Sequence, residues 1–476
     1  MSAVPCIARE EWRLMLRDRI AVLGFALLVL LGLIAALSAF EHRRATSEAR
    51  AHYQSQVNRE FDAQPDRHPH RMVHYGQFVF RPLNPWAAFD AGIDAYTGHT
   101  LFLEGHRQNS ANFGDVRQSS LLLRFGQLTP AFVLQLLAPL LLVFVGHGVV
   151  AREREGGTLR ILLAQGVKAR DLVLGKLLAM AEVAGLVLLP AAAALAWIGT
   201  RPGVPMAPGL LLLVGHGAWL MLWAAGVVLV SSIVRRPRDA LLALLALWTV
   251  ALVLMPRIVP DAVNAALPLA TRFETDIAVA RELAALGDSH DPDDPYFSEF
   301  RRKLLQQHGV NRVEDLPLNY KGLVALEGER LTSELFERHA EASFGLQERQ
   351  SRLVDRLGIV DPAIALRRLS MTAAGTDLDS YRRFSEQGER YRFALVQSLN
   401  RLQAEKLSYA DDRNPARQNR VDRSSWHDLP DFRHEPEPTA AMLRRALPAM
   451  AVLLLWLAGA ALLLPVAASR LGRVDR

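Results

Sequence analysis

The residues best placed to do chemistry in this chain are ionisable groups inside long apolar runs and a histidine cluster in a polar stretch. Glu182 lies well inside one apolar run. A charge at that depth is costly and normally faces a bundle interior or water with a partner, so Glu182 is a candidate for a transport path or a subunit contact. His147 and His216 also sit within apolar runs, each in the local pattern Val-Gly-His-Gly. His147 is near the inner end of its run and His216 in the outer third, so the two are not equivalent. The flanking glycines permit close helix packing, with the imidazole hydrogen-bonded across it. His68, His70 and His74 have a spacing from which imidazoles can converge on zinc or copper. Prolines and arginines surround them and no Cys or acidic ligand set stands nearby, so a solvated loop is the preferred reading and no metal is assigned. The Asp291–Asp294 cluster invites calcium, but Pro292, Pro295 and the lack of a turn glycine break the EF-hand pattern. No G-x-S-x-G, no H-E-x-x-H and no supported Ser/His/Asp order occurs, so no catalytic residue is expected.

A second kind of site lies in Arg152–Lys176, a charged stretch between two apolar runs. Arg152, Glu153, Arg154 and Glu155 precede a break at Gly156, Gly157 and Thr158. Leu159, Ile161, Leu162 and Leu163 then give one short apolar face, which Gly166 stops, and Lys168 and Arg170 follow. Acidic residues at the start of a short helix and basic residues near its end suit the helix dipole. The stretch reads as a stiff hairpin on a membrane surface. Glu153, Arg154 and Glu155 are its candidate contact charges, and Leu159, Leu162 and Leu163 seat it against a partner or the lipid boundary. The Gly-Lys pair ending at Lys176 has the wrong spacing for a P-loop, and Leu177 stands where Ser or Thr would bind magnesium. The chain carries no nucleotide site of its own.

The elements that position these residues follow from composition. Half of the 476 residues are hydrophobic, too many for a soluble domain and too few for a chain wholly in membrane. Spanning a hydrocarbon core of roughly 30 Å takes about 20 helical residues. Six segments qualify: Ile20–Phe40, Leu128–Val150, Leu172–Trp197, Gly209–Val234, Ala240–Val259 and Ala446–Ala468. Pro256 and Arg257 leave the end of the fifth open. Ala36-Leu37-Ser38 would allow signal cleavage after the first, but its apolar run exceeds the usual signal core, so an uncleaved anchor is expected. The single Cys6 excludes an internal disulfide. Arg supplies almost all the positive charge, as in a GC-rich bacterial genome. The net charge of +6 reflects where those arginines sit and implies no nucleic-acid partner.

Basic residues fix the orientation. Arg13, Arg17 and Arg19, the Arg152–Arg170 group, Arg235, Arg236 and Arg238, and Arg470, Arg473 and Arg476 all fall on one side if both termini are inside. Two polar inserts then lie outside, 41–127 and 260–445. The second is helical by pattern: Leu331, Leu335, Leu346, Leu353 and Leu357 mark one face, and Tyr381, Phe384, Tyr391, Leu395, Leu399 and Leu402 another. Gly358 and Asp361-Pro362 separate them, so a long helical hairpin is expected. Asp411–Pro438 reads as irregular, and Ser289–Tyr296 as a connecting loop. The first insert shows no reliable period, and Trp86 and Phe89 are candidates for a bilayer interface. The domain reading is 1–40, 41–127, 128–259 with the hairpin 151–176, 260–445 and 446–476. The fold class is an all-α membrane protein with six transmembrane helices, a smaller insert after the first and a large, mainly helical one after the fifth.

The hairpin resembles the coupling element of ABC-2 type export permeases, whose pattern is close to E-R-E-x-G-T-L-x-x-L-L-A-x-P-V, then basic residues and G-K. Here Val167 holds the place of Val, Gly166 replaces Pro, and one extra Gly precedes Thr158. The match covers about 25 residues. The long external insert is similar to that of the subgroup with an uncharacterised extracytoplasmic domain. The resemblance implies the permease subunit of an ATP-driven exporter in a bacterial inner membrane. It also implies separate ATPase subunits that bind ATP and magnesium, and a second permease, identical or related, completing the translocation unit. A periplasmic partner for the external helices is a further expectation. Two other readings stand beside it: a mechanotransmitter that moves the external helices with nothing crossing the bilayer, and an anchored receptor or assembly protein with no energy source.

Overall fold

The computed structural model describes residues 3–106, 128–289, 291, 293–413 and 419–474, with side chains to Gly472. Among them six helices are long and apolar enough to cross a membrane: Arg19–Asp62, Pro130–Glu155, Ala169–Gly199, Met206–Ile233, Pro237–Ala266 and Thr439–Gly472. They overlay the six expected segments and are called spans 1 to 6. Their starts are fixed locally. The Asp18 carboxylate accepts from the N–H groups of Ile20 and Ala21 ahead of span 1, and Thr129 accepts from Phe132 N–H ahead of span 2, whose first residue is Pro130.

Prolines inside spans 2 and 5 explain a shared irregularity. A helical proline lacks a donor and its ring meets the carbonyl four residues earlier. Pro139 follows a π-helical turn over Val133–Leu137, and Pro256 follows one over Val250–Leu254. In each case the carbonyl that would clash, on Gln135 or Leu252, lies within the widened turn. Span 5 therefore runs past Pro256 and Arg257 to Ala266 instead of ending there.

The arginine-rich segments gather at one end of the bundle. Ile7 packs on Gly175, Pro237 lies beside Gly148, and Ala169 beside Gly472. An N-terminal helix, Val4–Arg17, lies across this end with Ala8, Glu11 and Met15 turned inward. At the opposite end Arg201 covers the rings of Trp197 and Phe40. Trp86 and Phe89 are buried within the chain, with Trp86 packed on Gly209 near the start of span 4 and beside Gly199 at the end of span 3.

Span 1 continues without a break for 44 residues to Asp62, so the start of the first insert is helix and Ala36–Ser38 lie mid-helix. The insert then folds as a short helix, Pro69–Val73, and one antiparallel hairpin, β1 (Gln77–Phe80) with β2 (Thr100–Leu103). The hairpin is the one sheet among the described residues of an otherwise helical chain. The rest of the insert, 107–127, lies outside the described residues.

The second insert supplies the long helices Tyr320–Leu357 and Leu378–Lys406, which pack on each other as the pattern foretold. Between them stands a third helix, Pro362–Ala374, where a simple break was expected. Its Ala363, Ala365, Leu366, Leu369, Ala373 and Ala374 join the core of the spans. Asp294 caps the helix Pro295–His308 by accepting from Tyr296 and Phe297 N–H, so the acidic cluster there serves a helix start; His290 and Pro292 of that loop lie outside the described residues. The two inserts share one core. Phe61, Met72 and Val73 of the first meet Leu395, Leu399, Val421 and Trp426 of the second, and Arg67 bridges Val421 as an isolated strand pair.

Candidate functional site

The hairpin between spans 2 and 3 is two short helices, Ala151–Glu155 and Thr158–Ala164. Gly157 joins them at φ +76°, in the left-handed region that glycine enters at no steric cost. The regular helix of span 2 ends at Gly146, and Ser231 of span 4 repairs the opened ladder. Its Oγ donates to the His147 carbonyl at 2.8 Å and accepts from the N–H groups of Val150 and Ala151, each at 3.1 Å. Leu159 is buried, and Leu162 and Leu163 pack on the same core, so these leucines seat the hairpin on its own bundle. Ile161 is left 58% exposed, and Glu155 and Arg160 beside it face outward.

A charge cluster holds the hairpin down. Lys176 of span 3 donates to Glu11 of the N-terminal helix at 2.5 Å and also to Glu153. Arg152 donates to the other Glu11 oxygen at 2.9 Å. Lys176 and Glu11 are only 2% and 1% exposed, so each depends on the other for compensation of its charge. Arg154 donates to the carbonyls of Ile233 and Val234 at the end of span 4. Of the three charges expected to meet a partner, Glu153 and Arg154 therefore have partners within the chain, and Glu155 remains outward. Glu11 is the residue that sequence reasoning missed. The signal was present in the spacing of Ala8, Glu11 and Met15, one face of a helix.

The intramembrane candidates do not form one site. Glu182 is on the outer surface of span 3, not in the interior, and accepts from Trp12 Nε1 of the N-terminal helix. His147 Nδ1 lies 2.9 Å from the Phe144 carbonyl, and Gly146 lets Met180 and Val227 approach. His216 is fully buried at the opposite end, between the Leu212 carbonyl and the Gln135 side chain of span 2, at 2.8 and 3.2 Å. Phe89 packs edge-on to its ring, and Leu369 of the inserted helix fills the space over Gly215. The polar link thus joins two spans under a plug made by both inserts.

The histidines of the first insert are regrouped by the fold. His68–His74 is built around a short helix rather than a loop, with Met72 and Val73 buried. His68 turns away to Asp412, 3.0 Å off, and caps His70 N–H. Burial raises the Asp412 carboxyl, but hydrogen bonds from His68, Gln403 and Asn319 hold it well below the usual range. His70 and His74 instead face His106, whose distance along the chain offered no reason to include it.

A family model described as ABC-2 family transporter protein matches residues 6–304. The chain belongs to the ABC-2 transporter family. The permease also matches, over residues 272–435, a domain of unknown function, DUF3526. No curated protein matches it. The chain is thus a multi-pass membrane protein and an ABC transporter permease carrying an additional domain.

Proposed function

We propose that this permease couples ATP hydrolysis by separate ATPase subunits, which bind ATP and magnesium, to export across a bacterial inner membrane, with both termini in the cytoplasm. The observation that carries this reading is the hairpin at the arginine-rich end: anchored from beneath by Glu11, Lys176 and Ser231, it leaves Glu155, Arg160 and Ile161 outward. An ATPase that pushed on this surface would move spans 2, 3 and 4 and the N-terminal helix together. The positive-inside pattern supports a cytoplasmic position for that end. Spans 1 and 5 bury only 17% and 11% of their most apolar windows within the chain; a second permease, identical or related, would cover part of them and lipid the rest.

Affinity purification of the intact protein from membranes, with mass spectrometry, tests the reading. The parallel sample carries Glu155→Arg and Ile161→Asp. An ATPase subunit and a second permease are expected with the parent, and the ATPase is expected to be lost with the variant. Equal recovery from both would overturn the docking surface, and no ATPase in either would overturn the permease–ATPase assembly.

One observation favours mechanotransmission as a second reading. Span 1 enters the external body as a single unbroken helix, and the helix Pro362–Ala374 ties that body to the spans. The external body also holds a cleft of about 700 Å³ lined by Arg330, Glu334, Phe344, Tyr381, Glu389 and Arg390, suited to a polar partner segment in the periplasm.

A further inference from the structure

We propose that His70, His74 and His106 form a binding site for a borderline divalent transition ion, of the Zn²⁺ or Cu²⁺ kind, in the external body. One ligand nitrogen from each of the three imidazoles lies within 4.8 Å of the others. The ring centroids are 4.8, 5.3 and 5.7 Å apart. Tetrahedral coordination with metal–nitrogen bonds of about 2.0–2.1 Å sets the donors about 3.3 Å apart. Side-chain rotations that close the triangle by about 1.5 Å would therefore complete it. Three neutral imidazoles suit zinc or copper better than calcium or magnesium, which prefer oxygen.

The backbone explains why three residues so placed in sequence come together. His70 is in the helix Pro69–Val73, and His74 caps it with right-handed helical backbone angles. Four residues apart, they lie on one face. The chain leaving β2 is brought against the same helix, where Gly105 N–H donates to the Val73 carbonyl at 3.1 Å. A Cβ on Gly105 would stand 2.1 Å from Val73 Cγ1, so only glycine allows this approach. His106 follows at φ +61°, the one non-glycine residue with positive φ among those described. Such strain clusters at sites where the surroundings impose it. The turn that places the third imidazole is thus a built feature.

Carboxylates stand behind two of the rings, as the outer partners of metal-bound histidines commonly do. His106 Nδ1 is 3.4 Å from Glu329, and His74 Nδ1 is 3.7 Å from Glu104. Nε2 is then the atom each ring would offer. Glu329 is fully buried on the helix Tyr320–Leu357 and paired with Arg392 at 2.5 Å. His74 is 45% exposed, so an ion can enter and a fourth position stays open to water or a partner's ligand. Through Glu329 the bound ion would tie the first insert to the second.

The test uses the full-length permease, purified in detergent without a polyhistidine tag and stripped with a chelator. Zn²⁺ is titrated calorimetrically, and Cu²⁺ is added for electron paramagnetic resonance. One site per chain is expected, with couplings from three nitrogens. His70→Gln, His74→Gln and His106→Gln should each weaken Zn²⁺ binding by roughly tenfold or more, while His427→Gln, at an exposed residue of the second insert outside the cluster, leaves it unchanged. Elution profile and metal-free thermal midpoint report whether each variant folds. If one fails to fold, the nitrogen count in the parent decides alone. Absence of a stoichiometric site in the parent, fewer than three nitrogens, or unchanged binding in a folded His106→Gln variant would overturn the proposal.

Discussion

At the scale of residues, the permease concentrates charge where it has the least water. Glu11, Lys176, Glu153 and Arg152 are two anions and two cations, balanced only as a group. Removing one member of a buried pair leaves the other uncompensated, at a cost of about 3–5 kcal/mol. Lys176→Met and Glu11→Gln should each destabilise the purified protein by that order, read as a lower thermal midpoint. Combining them removes one anion and one cation and leaves Glu153 and Arg152, so the cluster stays neutral and the double variant should recover much of the loss. A double variant as damaged as the sum of the singles would show that the four do not act as a unit. The sequence displayed Arg152, Glu153 and Lys176 in one stretch, but nothing local joins them to a residue some 140 positions earlier. That pairing depends on the N-terminal helix folding back over span 3, a tertiary event. His106 was hidden for the same reason, because its neighbours His70 and His74 are brought to it by a turn and not by spacing.

At the scale of elements, legibility followed length and period. The six spans stand out because about 20 apolar residues can do little else, and the two long helices of the second insert because their leucines and aromatics recur on one face. The continuation of span 1 to Asp62 was not legible. Its outer half, from Glu41 on, is mostly polar, and Tyr53, Val57 and Phe61, four residues apart, are too few to declare a helix of that length. The helix Pro362–Ala374 is short and apolar on most sides, so it reads as a break until the bundle that receives it is seen. The Gly157 joint is the opposite case, a local signal with a local cause. No atom lies within 4 Å of where its Cβ would be, so Gly157→Ala meets only the backbone cost of left-handed φ, about 1–2 kcal/mol. The protein should stay folded, with a thermal midpoint close to the parent. If the angle between the two short helices carries movement, ATPase stimulation in the reconstituted complex should fall several-fold. Unchanged stimulation would place the transmitting contact elsewhere.

At the scale of the whole molecule, the two inserts are separated by the full set of middle spans yet fold into one body. Trp426 shows how they are joined: it is fully buried, and its indole N–H donates to the Pro65 carbonyl of the first insert at 3.3 Å. Trp426→Ala should cost about 3–5 kcal/mol by opening a cavity at that seam. Limited proteolysis should then cut first within the external body while the spans stay protected. A cleavage pattern identical to the parent's would mean that the seam is held by other contacts.

The unbroken first helix has a mechanical consequence. At 1.5 Å per residue, the stretch from Glu41 to Asp62 reaches about 33 Å beyond the expected span. A rod of that reach acts as a lever: a tilt of roughly 10° at its foot would sweep its tip by about 6 Å, more than one helical turn. Small rotations among the spans would therefore arrive at the external body as displacements large enough to open or close a binding surface. The fulcrum would be the Arg201, Trp197 and Phe40 contact that grips the helix as it leaves the bundle.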